Sequence, residues 1–110
     1  MELKDLQSRV EELAKAKDWG IKPDDIIFAE KIALLHGEVS EALEAYRQGK
    51  MTGPHGVIEE LGDIMMRTIH LANIYKVDLE KQILDKIEIN KTRDWSQDQL
   101  YLDRDKRNNK

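Results

Sequence analysis

The chain has 110 residues, enough for one domain with a modest core; 36% of them are charged and only 5% aromatic. That balance disfavours a β-sandwich, which needs β-branched and aromatic residues, and suits amphipathic helices with long charged faces. A net charge of −4 and a pI near 5.4 argue against duplex nucleic acid as a partner, since phosphate binding needs a clustered basic surface.

A small anionic ligand stays compatible with this charge if a cation neutralises it. There are no cysteines, which excludes disulfides and thiolate metal sites. No run approaches the ~18 apolar residues of a membrane span. The start, Met1-Glu2-Leu3-Lys4-Asp5, has neither the basic beginning nor the apolar run of a signal peptide. A soluble, cytoplasmic protein is expected.

In chain order, Leu3, Leu6, Val10 and Leu13 recur at helical spacing and predict a first helix over 2–18, ended by Gly20. Pro23 followed by Asp24 and Asp25 reads as the start of a second helix, with carboxylates at the positive end of its dipole. It runs to about Gln48, where Gly49 supplies a stop. The segment GKMTGPHG, with three glycines and a proline, reads as a flexible connection. A third helix is expected over 57–75, and Asp78 caps a fourth that continues to about Arg93. The polar remainder contains no apolar periodicity. Residues 1–95 are therefore expected to form one helical domain, with 96–110 a polar tail.

At about 100° per residue, the apolar face of the second helix carries Leu35, Val39, Ala42 and Tyr46, flanked by Leu34 and Ala45. Glu38 falls inside that arc and Glu41 at its edge, whereas Glu44 points away. On the third helix the arc holds Val57, Ile58, Leu61, Ile64, Met65 and Ala72. Glu60 lies beside Leu71 and Ile64, and Asp63 further round. A carboxylate aimed at a core is costly unless it is paired or binds a metal. Each helix thus offers two carboxylates three residues apart, and two antiparallel helices could bring all four together. Four oxygen donors favour a hard cation, magnesium or manganese, and magnesium shares its coordination with substrate phosphates. E-x-x-E and E-x-x-D also occur on solvent faces of helices everywhere; two pairs on adjacent helices, one inside an apolar arc, tip the balance toward a metal site.

Further along, Lys86, Asn90 and Arg93 fall within about 60° of one another on the fourth helix, a stripe suited to phosphate and sugar contacts or simply to solvent. Arg67, about a turn after Asp63, is placed either to pair with the acidic cluster or to face solvent. His36, His55 and His70 form no ligand set by spacing.

Gly37-Glu38-Val39-Ser40-Glu41, followed after eighteen residues by Glu60-Leu61-Gly62-Asp63, resembles the E-x-x-E … E-x-x-D pattern of the MazG-like all-α nucleotide pyrophosphohydrolases. The stretches EVSEALEAYR, EELGDIMMR and KIEINKTR extend the resemblance over about Trp19 to Trp95. The family pattern often begins with two adjacent glutamates, and here Gly37 occupies the first. The resemblance implies a four-to-five-helix bundle whose core is completed by oligomerisation, as a homodimer or homotetramer. It implies a metal site at Glu38, Glu41, Glu60 and Asp63, with catalytic work at Glu41 and Glu38 and Glu41 as the proton acceptor. The reaction it implies is magnesium-dependent cleavage of a nucleoside triphosphate between the α and β phosphates, in nucleotide-pool house-cleaning. Lys86, Asn90 and Arg93 would then lie near the nucleotide, and Trp19 would help form a base pocket. A related specificity, such as dUTP or phosphoribosyl-ATP, uses the same frame. The alternative of another class is a non-catalytic helical oligomerisation or binding module.

Overall fold

Leu3–Lys17 form α1, entered at Glu2, whose backbone N–H donates to Asp5 Oδ2 at 2.8 Å. The computed structural model describes residues 1–93. Asp18, in the left-handed region at φ 58°, ends α1, and Trp19 N–H closes back on Ala14 O at 2.9 Å. The stop is thus Asp18 rather than Gly20. Gly20 makes the turn that follows: its φ is +95°, and a Cβ there would lie 2.8 Å from Ile26 Cγ2.

Pro23 opens a short 3₁₀ turn, Pro23–Asp25, and not the second helix. Asp25 Oδ2 accepts from Ile21 N–H at 3.1 Å, so this carboxylate closes a local loop instead of capping a helix. The β-branched pair Ile26 and Ile27 is then extended, and α2 begins only at Phe28 and runs to Arg47. Its end is as the sequence predicts. Gly49, at φ +75°, donates to Tyr46 O at 3.0 Å while Lys50 N–H reaches Ala45 O at 2.9 Å.

The glycine-rich connection is tied rather than loose. Val57 N–H donates to Lys50 O and Ile58 N–H to Met51 O, and a Cβ on Gly56 would lie 2.6 Å from Thr52 O. It leads into α3, Val57–Ile74, which packs against both α2 and α1. The Val57–Lys50 bond at one end and an edge-on contact of Phe28 with Tyr75 (ring centroids 5.7 Å) at the other make α2 and α3 antiparallel. Gln7 fixes α1 to the end of α3. Its Nε2 donates to Asn73 Oδ1 at 2.8 Å, and Asn73 Nδ2 donates to Gln7 O at 2.8 Å.

The buried apolar side chains are few: Val10, Ala14, Ala45, Ile69 and Ile74. On α2 the buried stripe is rotated from the predicted arc toward Glu38, leaving Val39 and Tyr46 50% and 67% exposed. On α3, Ile58, Leu61 and Met65 are likewise exposed, while Glu60, Ile69, His70 and Ile74 are buried. The apolar arcs are wider than one neighbouring helix can cover.

The chain packs as two units, Met1–Glu80 and a second that begins at Lys81. Most of α4, Leu79–Thr92, belongs to the second. It carries local ion pairs, Lys81 with Asp85 at 2.6 Å and Lys91 with Glu88 at 2.8 Å, which support an exposed helix. Among the described residues there are four α-helices, no strand, and no helix long and apolar enough to cross a membrane, so the all-α expectation holds. The proposed tail, 96–110, lies outside the described residues.

Candidate metal centre

Because α2 and α3 run antiparallel, the mid-helix carboxylates of one face those of the other. Glu38, Glu60 and Asp63 each offer a carboxylate oxygen, all within 4.8 Å of one another. Glu38 and Glu60 are buried, at 9% and 3% exposure, and Asp63 is half-buried. The position of Glu38 and Glu60 relative to the apolar arcs is what anticipates this burial. Glu41 is exposed and outside that set of three, but near enough for its charge to act on Glu60.

The electrostatics of the two buried glutamates diverge. Arg67 Nε donates to Glu38 Oε1 at 2.8 Å and holds the Glu38 carboxyl below its ordinary range, against the opposing effect of burial. Of the two roles open to Arg67 in the sequence, pairing with the cluster is the observed one. Glu60 lacks such a partner. Burial first, and then the negative charge of Glu41, push its carboxyl up to about 7. Among the described residues Glu38 Oε2 and Glu60 Oε2 are buried with no hydrogen-bond partner. Buried carboxylate oxygens without a donor are what a hard cation satisfies, and an all-oxygen donor set fits magnesium or manganese rather than a softer metal.

A cleft of about 480 Å³, within the usual size of a ligand pocket, opens beside these carboxylates. Glu38, Asp63 and Arg67 line one end, Trp19, Lys31 and His70 the other, with Leu34 and Met66 along its length. Lys31 precedes Glu38 by seven residues and His70 follows Asp63 by seven. On antiparallel helices both displacements lead to the same end, about 10.5 Å from the carboxylates. Trp19, 39% exposed, sits 5.9 Å from His70 ring to ring, tilted by 56°. His70 Nε2 donates to Gly20 O at 2.9 Å, and Lys31 Nζ donates to Trp19 O at 3.4 Å. The loop after α1 is thereby held as the cleft wall.

Trp19 thus lines the same cleft as Glu38 and Asp63, at the end away from them. Lys31, Leu34, Met66 and His70 went unremarked in the sequence as cleft residues. The signal that finds them is spacing, since each lies three, four or seven residues from Glu38 or Asp63 on the same helix face. Lys86 and Asn90 lie on α4, and Arg93 directly follows it. All three belong to the second unit. Gly37 is exposed within α2, and a Cβ there would meet nothing within 4 Å, so the chain itself does not require glycine at that position.

The family model described as the MazG nucleotide pyrophosphohydrolase domain matches residues 28–94. No curated protein and no solved structure matches the chain.

Proposed function

The chain belongs to the MazG nucleotide pyrophosphohydrolase family, and from that premise we propose that it hydrolyses a (deoxy)nucleoside triphosphate to the monophosphate and pyrophosphate with magnesium as cofactor. The observation that carries the reading is the convergence of Glu38, Glu60 and Asp63 within 4.8 Å, with two buried carboxylate oxygens unpartnered. Magnesium, or manganese in its place, would be held by these three and Glu41.

Once bound, such a cation neutralises phosphate charge and makes a water molecule more acidic. The chain's own groups supply the rest. Glu41, exposed beside the cluster, accepts the proton of the water that attacks the α-phosphorus, with Glu38 as the other catalytic carboxylate. The bond from that phosphorus to the bridging oxygen breaks, and pyrophosphate leaves with the electron pair. Trp19 offers its exposed ring to the base at the far end of the cleft. Lys86, Asn90 and Arg93 contact phosphate and sugar. We assign the protein a cytoplasmic house-cleaning role on the nucleotide pool.

We further propose a homodimer or homotetramer, a reading supported by the exposure of Val39, Leu43 and Tyr46 on α2 and of Ile58, Leu61 and Met65 on α3. A non-catalytic binding module is the weaker alternative, because it leaves the two unpartnered buried carboxylate oxygens without a purpose. The test is pyrophosphate release across a panel of nucleoside triphosphates, with magnesium and with chelator. Magnesium-dependent release on at least one nucleotide is expected, and inactivity on all of them would overturn the proposal.

A further inference from the structure

Arg67 has more donors than its one partner uses. A guanidinium carries five N–H groups in a planar fork. In this chain the Nε–H is engaged by Glu38 Oε1 at 2.8 Å, and among the described residues the Nη groups make no hydrogen bond. The side chain is not sealed in: it is 41% exposed and lines the carboxylate end of the cleft. The Glu38 side chain, by contrast, is only 11% exposed. Glu38 therefore acts as an anchor, fixing the orientation of a guanidinium whose remaining donors stay accessible from the cleft. The other Glu38 oxygen, Oε2, is unpartnered and available to a cation. One carboxylate thus joins the candidate metal position to a cationic fork on its opposite oxygen.

We propose that Arg67 is a substrate-binding residue, presenting its Nη groups to the phosphate chain of the nucleotide while its Nε stays on Glu38. This assignment rests on the pyrophosphohydrolase reading of the site and names a contact beyond it. The chemistry favours arginine for the task. A planar fork can hold a carboxylate on one edge and phosphate oxygens on another, which the compact ammonium of lysine cannot do in one geometry. Lys31, the other cation in the lining, precedes Glu38 by about two helical turns, and its Nζ is engaged by the Trp19 carbonyl. Arg67 is the cleft cation adjacent to the metal candidate residues, where charge on a departing pyrophosphate would develop.

The experiment is calorimetric titration of the full chain with inorganic pyrophosphate at saturating manganese, for the wild type, Arg67→Met and Arg67→Lys. Arg67→Met is expected to bind pyrophosphate at least tenfold more weakly than the wild type. Arg67→Lys, which preserves a charge for Glu38 and therefore the fold, is expected to lose at least threefold. A residue that only orients Glu38 would weaken manganese binding and leave pyrophosphate affinity at saturation unchanged. A smaller loss than stated in a folded Arg67→Met, or in Arg67→Lys if the methionine variant does not fold, overturns the assignment. A wild type that binds manganese but neither pyrophosphate nor any nucleotide overturns the assignment together with the pyrophosphohydrolase reading, so the two failures are distinguishable.

Discussion

Replacing Arg67 by methionine keeps much of the aliphatic volume and deletes the guanidinium that Glu38 Oε1 accepts from at 2.8 Å. Breaking a fully buried ion pair costs about 3–5 kcal/mol, whereas an exposed pair is worth about 0–1 kcal/mol. Here the Glu38 side chain is 11% exposed and that of Arg67 41%, so water can reach the pair from the arginine side and the cost falls between those limits. We expect about 1.5 kcal/mol of destabilisation in the metal-free protein, or a fall in Tm of about 5–8 °C for a domain of this size. Saturating magnesium should reduce that fall to less than half, because a cation at the other Glu38 oxygen takes over part of the neutralisation. By linkage, the variant then binds magnesium more tightly than the wild type. Thermal melts followed by circular dichroism, in chelator and in magnesium, measure both quantities. An equal fall in the two conditions, or none in chelator, would refute the reasoning.

Three further expectations follow from the same geometry. Glu60 keeps its proton up to about pH 7 in the folded metal-free protein but only to its ordinary value of 4.5 when unfolded. Its contribution to stability is therefore complete below pH 4.5 and lost as pH rises through about 7; denaturant titrations of the wild type and Glu60→Gln should show this pH-dependent component disappearing in the variant. Trp19→Ala, which removes the exposed wall of the cleft, should raise KM for nucleotides about tenfold by the loss of one base-stacking surface, while affinity for pyrophosphate alone stays unchanged; a steady-state series paired with calorimetry checks it. Leu61→Lys places a charge on an α3 side chain that is 53% exposed in the single chain, and should convert the oligomer to monomer in sedimentation at micromolar concentration. A wild type already monomeric there would remove the oligomer proposal.

Much of the helical frame was legible because its signals are local. Gly49 ends α2 where the sequence predicts, and α3 matches its expected span within a residue. The start of α2 was not, because Asp25 bonds to Ile21 four residues earlier, and this local alternative wins over a place at the positive end of a helix dipole after Pro23. At the site, Glu38 was recognisable as a carboxylate inside an apolar arc and Glu60 as one beside Leu71 and Ile64, and both are buried. Which of the two is paired was not readable. That depends on Arg67, whose sequence position alone leaves partner and solvent equally open. The cleft was harder still, since it exists only once the loop carrying Trp19 and Gly20 folds onto His70 and Lys31. Which half of each apolar arc packs on a neighbouring helix and which stays exposed was not readable, because periodicity reports how much surface is apolar and says nothing about what covers it.

Pyrophosphate release by Glu38→Gln and Asp63→Asn, measured beside the wild type at saturating magnesium, tests most directly whether the carboxylate cluster supports catalysis. Both substitutions are nearly isosteric, so helical content by circular dichroism should stay at the wild-type level. Turnover is expected to fall by about a thousandfold or more, the scale on which the loss of a charged catalytic group acts. Wild-type turnover in both folded variants would contradict the account.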